Sequence, residues 1–214
     1  MKVLTTSFIV ILAIVQATAQ NSKFPLGLYR SVDDILSRSP DTTVDLDVVR
    51  RTTGEIKMAG GNDYKLVSPD GSVRKKDIKK NLVGYSDGDS LYLNCYPFRV
   101  QFWHTPILSD GKVIVVRAGL AMDPSIQKEQ LNNKEQLGYL FGPIGGGIQG
   151  AKLAMLRFLY ILDLRTMTAK TVTAESLTKL IADNHSLAQE FAAEEHQNDQ
   201  TVLLSYLRRY NATM

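Results

Sequence analysis

The sequence predicts an α+β fold: an antiparallel β-meander sheet or partly open barrel, with C-terminal helices packed against it. Three observations carry this expectation. Asp-Gly pairs at Asp70-Gly71, Asp87-Gly88 and Asp110-Gly111 punctuate alternating apolar runs, and such pairs are hairpin signals because glycine accepts a positive φ. The apolar period is near two from Val44 onwards and becomes helical after Thr173. With 44% hydrophobic and 22% charged residues among 214, the chain has the balance of a folded protein. It is long enough to bury a core without disulfide or metal help.

Residues 1–19 read as a cleaved signal peptide and 20–214 as one α+β domain. Within that domain 44–120 and 153–172 are mainly strands, 121–152 is an irregular Gly-rich excursion, and 173–211 is helical. Lys2 supplies a positive start, Phe8–Val15 a short apolar run, and Ala17-Thr18-Ala19 a small-x-small site that places the cut before Gln20. Spanning a bilayer takes about 20 apolar residues, so this run suits a leader better than an anchor, and no further transmembrane span is expected after cleavage. Lys2 is the only charged residue among 1–19, so the formal +3 becomes +2. A charge that small gives no argument for nucleic acid as partner. A leader implies export, to the periplasm or the outer surface.

The elements follow in order. Ser31 caps a short helix within Tyr29–Ser39, with Val32, Ile35 and Leu36 as its apolar stripe and Pro40 beyond its end. A strand starts at Val44 and runs through Leu46, Val48 and Arg50. Thr53-Gly54 turns it into a second extended piece, Glu55–Met58, and Gly60-Gly61-Asn62 is a break. Tyr64–Val67 is the next strand, ending in the turn Ser68-Pro69-Asp70-Gly71. The basic run Arg74–Lys80 has two readings: a solvated strand edge where lysines block pairing, or a patch for phosphate or anionic lipid.

The central hairpin, Leu82–Tyr96, is the firmest local signal. Leu91, Leu93 and Cys95 face one way; Tyr92, Asn94 and Tyr96 face the other. A period-two reading continues through Phe98, Val100, Phe102 and His104, with Gln101 and Trp103 on the opposite face. Val113–Val116 suits a central strand. Residues 118–140 read as a polar surface excursion holding one helical turn. The spacing of Gly142, Gly146 and Gly150 fits a loop or close backbone crossing, glycine-mediated packing in a membrane, or a phosphate-cradling loop, although no Gly-Lys-Ser/Thr ending follows. In Leu153–Leu164, Phe158, Tyr160, Leu162 and Leu164 alternate with Leu159 and Ile161, which predicts a strand buried on both faces, with Thr168–Val172 as its partner. Three helices close the chain. Thr173 caps one with a Leu177, Leu180 and Ile181 stripe; Ser186 and Gln189 form a capping-box pattern for a second with Leu187 and Phe191 inward; Asp199 starts a third with Val202, Leu203, Tyr206, Leu207 and Tyr210 inward.

Chemistry is harder to find. Cys95 is the only cysteine, and its position among inward residues predicts a buried, inert thiol. Asp87 and Asp89 lack the further ligands of a calcium loop. His104, His185 and His196 show no zinc spacing, and no Gly-x-Ser-x-Gly elbow occurs. No catalytic residue, metal or cofactor is expected. The candidate contact surface is Trp103 with Tyr92, Asn94 and Tyr96, because exposed aromatics stack on sugar rings or peptides.

Gly27-Leu28-Tyr29, the GGNDYKL of Gly60–Leu66, the block KKDIKKNLVGYSDGDSLYLNC from Lys75 to Cys95, and the closing LLSYLRRYN from Leu203 to Asn211 together resemble secreted proteins of unknown function from Bacteroidetes. The resemblance covers nearly all of 20–214. It implies export and residence in the cell envelope, and it carries no catalytic residues. The functional expectation is therefore an exported, non-enzymatic envelope module that binds an envelope protein or glycan. Two alternatives stand beside it: an envelope or polymer hydrolase using carboxylates such as Asp87 and Asp89, and a membrane-associated protein using the Gly142–Gly150 segment.

Overall fold

The computed structural model describes residues 24–133, 137–138 and 150–213. The leader, the start of the domain at Gln20 and most of the Gly142–Gly150 segment lie outside the described residues. The elements in chain order are β1 (Gly27–Tyr29), α1 (Val32–Leu36), β2 (Asp47–Arg50), α2 (Thr53–Ala59), β3 (Tyr64–Val67), α3 (Lys75–Lys80), β4 (Gly84–Ser86), β5 (Leu91–Asn94), β6 (His104–Ser109), β7 (Ile114–Ala118), α4 (Pro124–Asn132), α5 (Gly150–Leu153), β8 (Phe158–Asp163), β9 (Thr168–Thr171), α6 (Ala174–Leu180), α7 (His185–Ala192) and α8 (Gln200–Asn211).

The fold is α+β, with one antiparallel sheet in the order β1-β4-β5-β6-β7-β8-β9. From β4 onwards each strand pairs with its successor, so this part is a meander, and the sheet stays open. β2 and β3 form a side ribbon joined to the main path where Tyr64 pairs His104. Short connections at β4-β5, β6-β7 and β8-β9 favour this order because such neighbours pair at little loop-closure cost, whereas β7 and β8 pair across the long excursion that carries α4 and α5.

Strand β8 divides the interior. Its residues Phe158, Tyr160 and Leu162 join a core with Leu91, Leu93, Cys95 and Val116. Leu159 and Ile161, pointing the opposite way, join Val115 and the apolar stripes of α6, α7 and α8. Each of these helices is at most 12 residues long and too short to be stable alone. Burying Leu177, Leu187, Phe191, Leu203 and Leu207 against the sheet is what holds them. A third, smaller core sits under α3, with Leu28, Leu46, Leu66, Ile78, Leu82 and Tyr85.

Five local expectations are corrected. Glu55–Met58 is not extended but lies within α2. Thr52 Oγ1 accepts from the Glu55 N–H and the Glu55 carboxylate accepts from the Thr52 N–H, a capping box that outweighs the helix cost of Gly54. Arg74–Lys80 is not a strand edge: Lys75–Lys80 forms α3, with Arg74 at its N-cap and Ile78 as the residue it buries. Phe98, Val100 and Phe102 share no strand face: 97–100 is a run of turns and bends, and β6 starts only at His104. The second terminal helix is capped by Asn184, whose side chain accepts from the Leu187 N–H at 3.1 Å, rather than by Ser186. The polar excursion after 118 holds a nine-residue helix, α4, opened by Asp123 and Pro124.

Candidate functional site

The side ribbon and α2 and α3 enclose a cleft of about 1010 Å³. Its inner surface is mainly apolar: Leu66 from β3, Val73, Ile78 from α3, Met58 from α2, and the indole of Trp103. Met58 is 90% exposed, an unusual position for a large apolar side chain.

The placement of Trp103 has an identifiable cause. Its φ is +72°, in the left-handed region that costs a non-glycine residue about 1–3 kcal/mol. Two contacts fix the backbone there. The Asn62 N–H donates to the Phe102 carbonyl at 2.9 Å, and the Cys95 N–H to the Trp103 carbonyl at 3.3 Å. Gly61, at φ +90°, makes room: a Cβ there would stand 2.7 Å from Trp103 Cδ1 and 2.9 Å from Arg51 Nη1. The Gly60-Gly61 break therefore lets an indole and a guanidinium approach one backbone segment.

Cations surround the indole. The Arg51 guanidinium lies 5.4 Å from the Trp103 ring, and Lys79 Nζ lies 5.4 Å from Trp103 and 5.3 Å from Phe102, within cation–π reach. Arg51 is 6% exposed. It donates to the carbonyls of Gly60, Asn62 and Glu55, and burial lowers its pKa below the usual guanidinium range. Its hydrogen bonds thus go to neutral carbonyls rather than to a carboxylate. Glu55, the one acid on the wall, is held by Lys65 at 2.8 Å. That bond, with the Thr52 N–H, draws its carboxyl down to about 2. Arg74 is paired with Asp77 at 2.8 Å.

The four residues singled out from sequence separate in space. Trp103 lines the cleft. Tyr96 stacks on Phe102, centroids 5.1 Å apart and planes 16° from parallel, so an exposed aromatic pair sits beside Lys79. Tyr92 packs against Tyr64, centroids 5.3 Å apart and planes tilted by 59°, and burial raises its phenol to about 12. Asn94 is 1% exposed. Its amide nitrogen donates to the carbonyls of Lys79 at 3.1 Å and Leu82 at 2.9 Å, and its oxygen accepts from the Tyr96 N–H. It fastens the end of α3 to the sheet. Arg51 and Met58 fall where the sequence suggests extended chain and carry no site signal of their own, whereas Lys75 and Lys79 belong to the basic run whose second reading is a patch for phosphate or anionic lipid. The Thr-x-x-Glu pattern at Thr52–Glu55 is the signal that would have placed the first pair.

Elsewhere, Asp87 Oδ1 accepts from the N–H groups of Asp89 and Ser90 and so shapes its own hairpin turn. Cys95 is fully buried, which raises its thiol to about 12. His104 is 1% exposed, and neither ring nitrogen has a hydrogen-bond partner among the described residues; burial lowers its pKa to about 3. No helix among the described residues is long and apolar enough to cross a membrane. A family model described as a family of unknown function (DUF6563) matches residues 27–214. No curated protein and no solved structure matches the chain.

Proposed function

The chain belongs to this family of unknown function, DUF6563, and from that premise we propose that it is an exported, non-enzymatic module of the cell envelope that binds a partner through the Trp103 cleft. The observation that carries the reading is the cleft itself. A concave, mainly apolar surface with a few convergent polar groups is the usual form of a ligand site, and here a strained backbone holds the indole on that surface. Backbone strain is kept where the surroundings fix it, often at binding sites. Tyr96 and Phe102 extend the contact surface beside the cleft. Export rests on the Lys2, Phe8–Val15 and Ala17–Ala19 pattern.

The test is calorimetry of residues 20–214 and of its Trp103→Ala variant against fractionated envelope proteins and glycans. A fraction bound by the wild type and weakened by about tenfold or more in the variant supports the cleft as the binding surface. Equal affinities across every bound fraction would remove it.

A further inference from the structure

Resting on that reading of the cleft, we infer that its ligand is a single-chain amphiphile with an anionic head, the apolar chain lying along Leu66, Ile78, Met58 and Trp103. The argument is one of charge and shape together. Five bases line the cleft (Arg51, Lys65, Arg74, Lys75 and Lys79) against one acid, Glu55, while the whole chain carries only +3. Local pairing sorts these bases by availability. Lys65 is engaged by Glu55 and Arg74 by Asp77. Lys75 and Lys79 make no ion pair among the described residues, and Lys79 rests on aromatic faces. Both come from α3, the helix whose Ile78 is buried at the base of the cleft. Long lysine stems cover apolar surface while their ammonium groups stay at its edge.

An apolar surface edged by two available ammonium groups, with a buried guanidinium behind them, is complementary to a molecule of the same construction: a hydrocarbon chain ending in one carboxylate or phosphate. A neutral sugar would satisfy the indole and leave the cations idle. A flat membrane surface would meet the charge and leave the concavity empty.

Titration of residues 20–214 with laurate below its micelle concentration tests this, read by the emission of Trp103, the single tryptophan of the chain, and in parallel by calorimetry. Dodecanol serves as the uncharged twin. The expected result is saturable laurate binding, weakened about tenfold or more in Lys75→Gln/Lys79→Gln and by added salt, while dodecanol binds weakly and equally to both proteins. Lys75 is exposed and Lys79 half-buried against aromatic rings, and the melting curve of the double variant checks that it folds. Equal binding of laurate and dodecanol would overturn the anionic head and leave the cleft as an apolar site. Binding only to vesicles of anionic phospholipid, with none to monomeric laurate, would overturn the single-chain ligand. Silence with all three would overturn the inference, while the envelope-fraction calorimetry still decides the broader reading.

Discussion

Replacing His104 with leucine is expected to remove much of the protein's sensitivity to mild acid. The imidazole is 1% exposed, and both nitrogens lack partners among the described residues. Burial opposes protonation and takes the folded-state pKa from 6.5 to about 3. The sign follows from linkage. A base with a depressed folded pKa binds its proton more readily when the chain is unfolded, so stability is lost as pH falls from the unfolded value towards the folded one. At about pH 4.5 the unfolded imidazole is two units below its pKa and the folded one still neutral. At about 1.4 kcal/mol per unit, the loss is about 2.5–3 kcal/mol relative to pH 7.5. That is a large share of the roughly 5–15 kcal/mol that holds a domain together. Urea unfolding of the wild type and His104→Leu at both pH values measures it. Surface carboxylates such as Glu55 titrate in both proteins and cancel in the comparison. With m near 2 kcal/mol/M, the wild-type midpoint should fall by about 1.3 M more than the variant's. At pH 7.5 the variant should be no less stable, because two unpaired buried nitrogens are gone. Parallel pH dependence of the two proteins would refute the reasoning.

Other outcomes follow from the same geometry. Gly61→Ala should cost roughly 2–4 kcal/mol, combining positive-φ strain with a Cβ 2.7 Å from Trp103; thermal melts measure the cost, and a shifted Trp103 emission maximum shows that the indole has moved. Asn94→Ala leaves the Lys79 and Leu82 carbonyls without their donor and should cost about 2–3 kcal/mol, with faster amide exchange in α3 than in α8. Gln130→Leu strips the buried Ala121 N–H and the Tyr160 and Thr171 hydroxyls of their shared partner; a chemical denaturation midpoint corresponding to a loss of roughly 2 kcal/mol or more is expected. Mass spectrometry of the exported protein should show Gln20 as its first residue; an intact Met1 start in the envelope fraction would contradict the leader.

Much of the architecture was legible because it rests on short-range signals. Asp87-Gly88 between Tyr85 and Leu91 specifies a hairpin locally. The alternation of Leu159 and Ile161 with Phe158, Tyr160 and Leu162 showed that β8 has two apolar faces. The site was less legible for physical reasons. In α2, Gly54 suggests a break, and only the reciprocal bonds of Thr52 and Glu55 reverse that. Across Arg74–Lys80, five bases in seven residues mask Ile78, the apolar position that sets the buried face of α3. Asn94 shares strand parity with Tyr92 and Tyr96, but parity cannot show that Asn94 would be covered by the end of α3. Trp103 was noticed as a residue; the left-handed turn that aims it depends on contacts from Gly61 and Asn62, some forty positions away.

The two apolar faces of β8 have a mechanical consequence. The terminal helices cannot peel off as an independent unit, because Leu159 and Ile161 would meet water while Phe158 and Tyr160, on the same backbone, stay sealed. Disturbing either side transmits to the other through one six-residue partition. Melting is therefore expected to be cooperative across both cores, with the α6–α8 layer and the β5–β8 layer lost in a single step.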